Sequence, residues 1–431
     1  MDFSYPTRPL TDFAKLRSGG TPSKAKQEFW NGDIPWITPK DMGDWDGSTL
    51  NKVTAEAIGN GTRLAPPRTS YIAVRGMSLH NEIRVIRVPF PATFNQDIKA
   101  VEAFDGVNNR FLYYCLVAHK PTLLEKVESA GHGTGRLPTD QLEMLPIPDV
   151  EDDVSVAIAE ILSNIDDKIE LLRDMNRSLE EIARAVFRAW VVDFEPIRAK
   201  AAGATVFRGM PQELFETLPN SFEPSGTGEI PTGWTVKPLD EIADFLNGLA
   251  MQKHRPGEGE DWLPVIKISE LRKGITENTE RASESIPHKY KVFDGDFIFS
   301  WSGSLLAKFW TAGDGALNQH LFKVTSETHP IWFVSGWIWH HLDEFQRIAA
   351  GKATTMGHIQ RGHLSAASVV VPSDDQLLAM TQILSPLIER LIRNDLEARN
   401  LASLRDTLLP KLISGELEAP SLDALGLAGG A

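Results

Sequence analysis

The sequence predicts an α+β fold in which two similar mixed α/β domains are separated by two long helices packed as an antiparallel coiled coil. Three observations lead to this prediction. Five short segments recur in the same order at offsets of 222 to 229 residues, and each copy contains short β-type runs bounded by Gly, Pro or Asp. Each copy then ends in a long apolar heptad pattern. The duplication implies a pseudo-twofold relation between the copies.

The internal repeat is visible as pairs of matching segments. They are Arg8-Pro-Leu with Lys237-Pro-Leu, Ile34-Pro-Trp-Ile with Leu263-Pro-Val-Ile, Phe94-Asn-Gln with Leu317-Asn-Gln, Leu145-Pro-Ile-Pro with Val369-Val-Val-Pro, and Ile161-Leu-Ser with Ile383-Leu-Ser. One such match arises by chance, whereas five in order indicate duplication. We therefore divide the chain into a first head (1–150), a helical region (151–195), a linker (196–233), a second head (234–372), a second helical region (373–417) and a flexible tail (418–431).

Both helical regions carry apolar residues at alternating steps of three and four, which is the spacing of a coiled-coil seam. The predicted seam consists of Ile158, Leu162, Ile165, Ile169, Leu172, Leu179, Val186, Leu384, Leu387, Leu391, Leu401, Leu408 and Leu412. Asn176, Asn394 and Arg405 are polar interruptions. Antiparallel pairing of the helices would hold the two heads apart at a fixed distance. The alternative is that each helix packs only against its own head. Ser373 and Gln376 predict a capping box at the start of the second helix.

Charge and composition limit the classes of function. The net charge is −14, but residues 151–195 carry −7 and residues 373–431 carry −4, so the heads are close to neutral. Unaided binding to DNA would be weak for such a chain, and a positively charged partner is expected.

The sequence contains no apolar run of about 18 residues, so we expect no membrane span, and no secretory signal is evident. The single cysteine, Cys115, lies in an apolar stretch and fits a reducing cytoplasm.

The common catalytic motifs are missing from the sequence. It has no P-loop and no Asn/Asp-Pro-Pro-aromatic motif of a DNA methyltransferase. The glycine-rich segment Gly131-His-Gly-Thr-Gly follows a predicted helix instead of a strand, so we expect a flexible or DNA-contacting loop there. His340-His341 are adjacent and do not form a metal-ligand pattern. We therefore expect no catalytic site, no metal and no bound cofactor in this chain.

Several segments together resemble the specificity subunits of type I restriction-modification systems. They are Ser18-Gly-Gly-Thr-Pro-Ser, Gly32-Asp-Ile-Pro-Trp-Ile-Thr-Pro-Lys-Asp-Met, the Asn95-Gln and Asn318-Gln turns, Ile161-Leu-Ser-Asn-Ile-Asp-Asp-Lys-Ile-Glu-Leu, Trp190-Val-Val-Asp-Phe-Glu-Pro, Gly228-Glu-Ile-Pro-Thr-Gly-Trp and Leu408-Leu-Pro-Lys-Leu-Ile-Ser-Gly-Glu-Leu. The resemblance implies two target-recognition domains, each reading half of a bipartite, asymmetric DNA site. It also implies helices that set the spacing and dock two methyltransferase subunits.

In such a complex the partners do the chemistry. The resemblance implies that methyltransferase subunits use S-adenosylmethionine to methylate adenine at N6, and that restriction subunits use ATP and Mg to translocate and cut DNA. The second head departs from the first, because it reads Asn247-Gly-Leu-Ala where the first reads Ser18-Gly-Gly-Thr. Two alternatives remain: a self-contained methyltransferase or nuclease fusion, and a protein-interaction scaffold that never touches DNA.

Base readout requires hydrogen-bonding side chains on loops that enter a groove. The candidates on glycine-flanked loops of the first head are Thr21, Ser23, Lys24, Lys26, Lys40, Arg75, His80, Thr134 and Arg136. Those of the second head are Gln252, Lys253, His254, Lys267, Ser302, Ser304, Lys352, Thr354, Thr355 and His358. Each is also compatible with an ordinary solvated side chain. Asn95 and Asn318 are left out, because an Asn between apolar runs more often fixes a turn.

Overall fold

The computed structural model describes residues 1–43, 45–130, 133–351, 357–422 and 424–425. The chain divides into two units, which are Met1–Lys168 with Leu401–Ala431 and Ile169–Asn400. Both boundaries fall inside long helices, Asp152–Phe187 and Asp374–Ser414. Each unit therefore contains one head and one segment of each long helix.

The first unit is built around two four-stranded sheets. One is fully antiparallel, with strands in the order Ala14–Ser18, Ile98–Ala103, Thr69–Ala73 and Val85–Val88. The other has the order Asn51–Val53, Trp30–Ile37, Ala92–Phe94 and Leu64–Ala65, and its central pair is parallel. Smaller sheets join Glu128–Ala130, Thr134–Arg136 and Arg75–Gly76, and Thr7–Pro9 with Pro146–Pro148.

The second unit repeats this topology. Its antiparallel sheet has the order Asp244–Asn247, Leu321–Thr325, Phe297–Ser300 and Ala307–Phe309. Its other sheet has the order Arg281–Ser283, Trp262–Ile266, Gly315–Leu317 and Lys291–Val292, again with a parallel central pair. Two-stranded sheets join Thr235–Pro238 with Ser368–Val371 and Phe222–Ser225 with Gly228–Pro231.

The other elements of both units are helices and helical turns. The shorter α-helices are Asn109–Ala118, Lys120–Glu125, Thr139–Glu143, Glu195–Ala201, Gln212–Thr217, Leu239–Ile242, Ile268–Lys273, Ile331–Ala350 and Arg361–Ala366. A π-helical turn, Arg188–Val192, follows the first long helix. Short 3-10 turns are Leu10–Asp12, Gln27–Phe29, Ala55–Ala57, Met77–His80, Met251–Lys253 and His288–Tyr290.

Segments that recur in both copies form equivalent strand pairs within each copy. Arg8 lies opposite Ile147 in the first copy, and Lys237 lies opposite Val369 in the second. The parallel pairs also match, because Ile37 is in register with Phe94 and Ile266 with Leu317. The repeat found in the sequence is therefore a repeat of strand pairing. The expected strands at 70–74 and 296–300 are present as Thr69–Ala73 and Phe297–Ser300.

In the second unit the long helices run antiparallel and share a buried polar layer. Asn394 Nδ2 donates to Asn176 Oδ1 at 2.9 Å, and Asn176 Nδ2 donates to the Leu391 carbonyl at 2.9 Å. A further bond joins Asn176 Nδ2 to Asp395 Oδ1 at 2.6 Å. Further along the first helix, Phe187 lies in one hydrophobic core with Leu384, which precedes Leu391 in the chain. The two polar interruptions of the sequence pattern thus contact each other.

In the first unit the same helices pair through charge. Arg405 Nη1 lies 2.7 Å from Asp166 Oδ1, and the Tyr114 hydroxyl donates to the other oxygen of Asp166 at 2.8 Å. Ile158 and Leu162 belong to the same core as Leu412, together with side chains of the head. The helices therefore pack against each other and against the head, which makes the alternative of packing on the head alone wrong.

The predicted seam residues all lie away from open solvent. Those that are buried are Ile158, Leu162, Ile169, Leu172, Leu384, Leu391 and Leu412, and those that are half-buried are Ile165, Leu179, Val186, Leu387, Leu401 and Leu408. The tail from 418 onward falls partly outside the described residues, since 423 and 426–431 are not described.

Residues 196–233 are not the surface linker that their Gly, Pro and Ser content suggested. They form two helices and a hairpin, and Ile197, Leu214 and Phe215 are buried in the core of the second unit. The capping box is also wrong, because the Gln376 side chain accepts from Trp234 Nε1 at 2.7 Å and donates to the Thr217 carbonyl at 2.8 Å. The apolar positions in this segment outweigh its loop-like composition, because burying them stabilises the unit.

Cys115 is fully buried, as its apolar neighbours predict. Burial raises the pKa of its thiol well above the ordinary value. Across the described part of the chain, no helix combines the length and the apolar character needed to cross a bilayer.

Candidate DNA-binding surfaces

An Asn-Gln turn organises the loops at one end of each head. The backbone N–H of Asn95 donates to the Ile37 carbonyl at 3.0 Å, and that of Asn318 donates to the Ile266 carbonyl at 3.2 Å. The Asn95 side chain accepts from the Asp97 N–H at 3.1 Å, and that of Asn318 accepts from the His320 N–H at 3.3 Å. Both asparagines therefore fix a turn, as the sequence indicated, and leave the loops around them to present side chains.

In each head, the backbone of a glycine packs closely against the Asn-Gln turn. A Cβ built on Gly19 would overlap the carbonyl oxygens of Phe94 and Asn95, and one built on Gly248 would overlap those of Leu317 and Asn318. Glycine is required there because only a residue without a side chain permits such a close approach. The loop that follows reads Thr21-Pro-Ser-Lys in the first head and Ala250-Met-Gln-Lys in the second.

In the first head three candidates meet around the turn. Thr21 Oγ1 donates to Gln96 Oε1 at 2.6 Å, which brings in a glutamine that the sequence interpretation had not selected. The N–H of Arg75 donates to the Asp97 carbonyl at 3.3 Å, and Arg136 lies directly opposite Arg75 across a strand pair. Cross-strand partners project from the same face of a sheet. Both arginines are exposed, so this face presents two guanidiniums.

The other first-head candidates are less closely linked. Ser23, Lys24, Lys40 and His80 are exposed, while Lys26 lies 3.7 Å from Glu28 and over the Phe29 ring. Thr134 is half-buried and begins the strand that carries Arg136. Gly131 and His132, which belong to the glycine-rich segment of the sequence, lie outside the described residues.

In the second head the equivalent strand positions hold Ser302 and His358, which lie opposite each other as Arg75 and Arg136 do. Ser302 is 3% exposed and its hydroxyl is hydrogen-bonded to His320 Nδ1 at 3.0 Å. It is therefore not available to read a base, and its selection from the sequence is wrong. A serine between Trp and Gly reads as a loop residue, but the strand pairing with His358 buries it.

Trp301 is the residue of this surface that sequence reasoning missed. Its indole Nε1 donates to Asn247 Oδ1 at 2.9 Å, and its ring lies 5.9 Å from that of His320 and 6.2 Å from that of His358. The signal was available, because the repeat aligns Trp301 with Val74, and the exchange of valine for tryptophan at a loop marks a specialised site. Half-buried rings with polar edges suit contact with bases.

The remaining second-head candidates divide into exposed and engaged side chains. Gln252, Lys253 and Ser304 are exposed, and His254 is half-buried. Lys267 forms an ion pair with Glu280 at 2.5 Å. The hydrogen bond from Lys267 lowers the pKa of Glu280, and the charge of Lys267 lowers it further. Lys352, Thr354 and Thr355 lie outside the described residues.

Nothing in the described ranges groups three or more His, Cys, Asp or Glu side chains into a potential metal site. His341 Nε2 is bonded to the Ser368 carbonyl at 3.0 Å, and its ring is stacked on Trp337, which indicates a structural role. In both heads, loops with hydrogen-bonding side chains lie next to the end of a four-stranded sheet.

Comparison with known proteins defines the class of this fold. Residues 4–181 match the family described as the type I restriction modification DNA specificity domain. A solved structure of a type I restriction-modification S subunit from M. genitalium has the same fold, with a TM-score of 0.54, 15% identity and coverage of 95% of this chain and 96% of that one.

Two relatives found by sequence comparison have names of the same class, and one of them matches over nearly the full length. The MjaIX specificity subunit of Methanocaldococcus jannaschii is 26% identical over 97% of this chain and 94% of its own length. The EcoR124I/EcoR124II specificity subunit of Escherichia coli is 33% identical over 37% of this chain and 40% of its own length. The chain is therefore similar to type I restriction-modification specificity subunits, through the family match over residues 4–181 and through the lower identity to the MjaIX subunit over most of its length.

Proposed function

We propose that this chain reads a bipartite, asymmetric DNA site, with one head on each half, and supplies the address for methylation by other subunits. The observation that carries the proposal is the repeated framework with different side chains at equivalent loop positions. Arg75 and Arg136 occupy the strand pair where Ser302 and His358 lie in the second head. A shared framework gives both heads the same approach to a groove, and the exchanged side chains give them different base preferences.

The long helices are proposed to set the distance between half-sites and to dock two methyltransferase subunits. Their net negative charge suits a positively charged partner, which in turn would supply the phosphate contacts that an acidic chain lacks. The methyltransferase subunits would bind S-adenosylmethionine and flip an adenine out of the duplex. Restriction subunits would use ATP and Mg, and this chain would work in the cytoplasm, without catalysis and without a cofactor of its own.

Exchange of one head is the experiment that tests modular reading. Residues 1–150 are replaced by those of another specificity subunit, and the methylated motif of a host carrying the system is determined by sequencing. We expect one half of the motif to change and the other half to stay. A change in both halves would contradict independent reading by the two heads.

The spacing role has its own test. Removal of four residues, about one helical turn, from each long helix should shorten or shift the permitted spacer between half-sites while leaving both half-sites the same. An unchanged spacer would argue against the helices as the measuring element.

Two controls separate the rival functions. Purified chain with DNA and labelled S-adenosylmethionine should transfer no methyl groups, whereas a fused methyltransferase would. A scaffold that never touches DNA should leave the mobility of DNA unchanged in gels at low salt, and should add nothing to the shift that the methyltransferase gives alone.

A further inference from the structure

A cavity of the first unit is lined by three arginines and has no role in the surfaces described above. Its volume is about 480 Å³, and its lining consists of Arg68, Arg87, Asn108, Asn109, Arg110, Val156 and Glu160. Arg68 precedes the strand Thr69–Ala73, whereas Arg75 follows that strand. The cavity therefore lies at the other end of the central sheet from the Asn-Gln turn.

The positive charge in this cavity is only partly neutralised. Arg110 Nη1 lies 3.2 Å from Glu160 Oε1 and 3.3 Å from Ser163 Oγ, and Arg87 Nε donates to Asn109 Oδ1 at 3.0 Å. Within the described ranges, neither Arg68 nor Arg87 forms an ion pair with a carboxylate. Burial lowers the pKa of Arg87, and the charges of Arg110 and Arg68 lower it further.

The duplicated fold supplies a control, because the second unit has the same three positions. Arg87 lies opposite Ser70 in its sheet, and Phe309 lies opposite Phe297 at the corresponding place. Arg110 and Trp332 are each the second residue of the helix that follows the sheet. Phe309 and Trp332 are buried in an apolar core. The fold therefore does not require arginine at either position.

The third position, Arg68, is equivalent to Gly295 in the second unit, so the fold does not require arginine there either. Arg68 has a φ of 67° and its N–H donates to the Val88 carbonyl at 2.6 Å. Gly295 has a φ of 94° and its N–H donates to the Trp310 carbonyl at 2.7 Å. The left-handed conformation suits glycine, and an arginine held there is strained. A strained residue at a cluster of like charges indicates a function other than folding.

We infer that this cavity binds a phosphate group, with the Arg68 and Arg87 guanidiniums as donors and Arg110 as a third positive charge. Planar guanidiniums bind phosphate through paired hydrogen bonds. The Asn108 side chain already accepts from the N–H groups of Arg110 and Phe111, so these two N–H groups are not free to bind the phosphate. On the proposed function, the phosphate belongs to the DNA backbone, and only the first head has this contact.

The test uses the full chain assembled with its methyltransferase partner and a DNA duplex in a series of salt concentrations. Arg68→Gly introduces the residue of the equivalent position in the second unit, so the fold is retained. Arg87→Gln removes the second charge. Lys126→Ala removes an exposed charge of the same head outside the cavity. The slope of log affinity against log salt is negative, and each lost phosphate contact reduces its magnitude by about 0.9. We therefore expect a shallower slope in both arginine variants and an unchanged slope in the lysine variant.

A second measurement distinguishes the source of the phosphate. Inorganic phosphate is titrated into the wild-type chain and into Arg68→Gly by calorimetry. Binding to the wild type alone, with an unchanged DNA slope in the variants, identifies free phosphate as the ligand. Folded variants with wild-type slopes and no difference in phosphate binding overturn the inference. Loss of the methyltransferase partner instead, at unchanged DNA slope, overturns it in favour of an acidic protein surface. If the wild-type complex shows no salt-dependent binding, the proposed function fails, and the phosphate titration still reports on the cavity.

Discussion

The two heads share their framework and differ in its contents. Both have the same strand order, the same parallel central pair and a glycine pressed against an Asn-Gln turn. Around that framework the first head presents Arg75 and Arg136, and the second presents the ring of Trp301 beside His320. Positions that fix the backbone are the same in both copies because close approach and turn geometry allow few residues. Positions that face solvent are free to differ, and on the proposed function these are the ones that would determine what each head contacts.

The largest expected effect is on the glycine that both heads share. Gly248→Ala should destabilise the second unit by about 3 kcal/mol, because the new Cβ overlaps two backbone carbonyl oxygens that cannot move away easily. Thermal unfolding of the full chain measures this, and Gly226→Ala, where nothing lies within 4 Å, is the control with little change. A small effect at Gly248 would mean that the turn does not fix this loop.

The next largest loss of stability is expected from substitutions in the polar contacts between the long helices. Asn176→Leu alone should cost about 1 to 3 kcal/mol, since the buried Asn394 loses its acceptor. The double variant Asn176→Leu with Asn394→Leu should recover most of that cost. Arg405→Met should cost less, because Asp166 is partly exposed and keeps the Tyr114 hydroxyl. Denaturant unfolding of the wild type, these three variants and Asn394→Leu alone tests the comparison, and strictly additive losses at the two asparagines would contradict it.

Alkaline pH should loosen the first unit before the second. Burial raises the pKa of Tyr113 to about 12, and burial also raises that of Tyr71 above its usual value of 10.0. The folded state keeps protons that the unfolded chain releases, so this stability is complete below pH 10.0 and is lost as the pH rises through the folded values. Tyr113→Phe should remove part of the pH dependence, whereas Tyr290→Phe in the second unit is the matched control. Equal effects of the two variants would contradict the assignment.

The smallest effect is expected at Lys267. Replacement by Ala should cost at most about 1 kcal/mol, since its ion pair with Glu280 is near the surface. Because that pair already engages the side chain, DNA affinity should stay unchanged, while Gln252→Ala on the exposed loop should weaken binding. Filter binding on both variants measures the DNA affinity. A larger loss of affinity in Lys267→Ala than in Gln252→Ala would indicate that Lys267 contacts DNA.

The parts of the fold that could be predicted from the sequence are those marked by a pattern that extends over many residues, namely the internal repeat and the heptads. The repeat gave strand pairing because its matching segments, such as those at Arg8 and Ile147, are partners in one sheet. The heptad pattern gave the helices, and its polar interruptions proved to be the Asn176–Asn394 contact. Residues 196–233 were misjudged because their composition resembles a loop, while six buried apolar side chains determine where they pack, namely Ile197, Met210, Leu214, Phe215, Leu218 and Ile230.

The surfaces were harder to predict, because side-chain availability depends on partners distant in the chain. Ser302 looked exposed and is buried by the strand that contains His358. Trp301 was not selected from the sequence, although it is half-buried beside this surface and its indole Nε1 is bonded to Asn247. The arginine cavity could not be predicted from the sequence, because Arg68, Arg87 and Arg110 come together only through the strand register and the position of the helix start in the folded chain.

Sequencing of methylated adenines in a host that carries the wild-type system tests the central claim most directly. Two dissimilar heads on one framework predict a motif of two different short half-sites separated by a fixed number of unspecified bases. A single continuous motif, or two identical halves, would contradict the assignment of separate reading to the two heads.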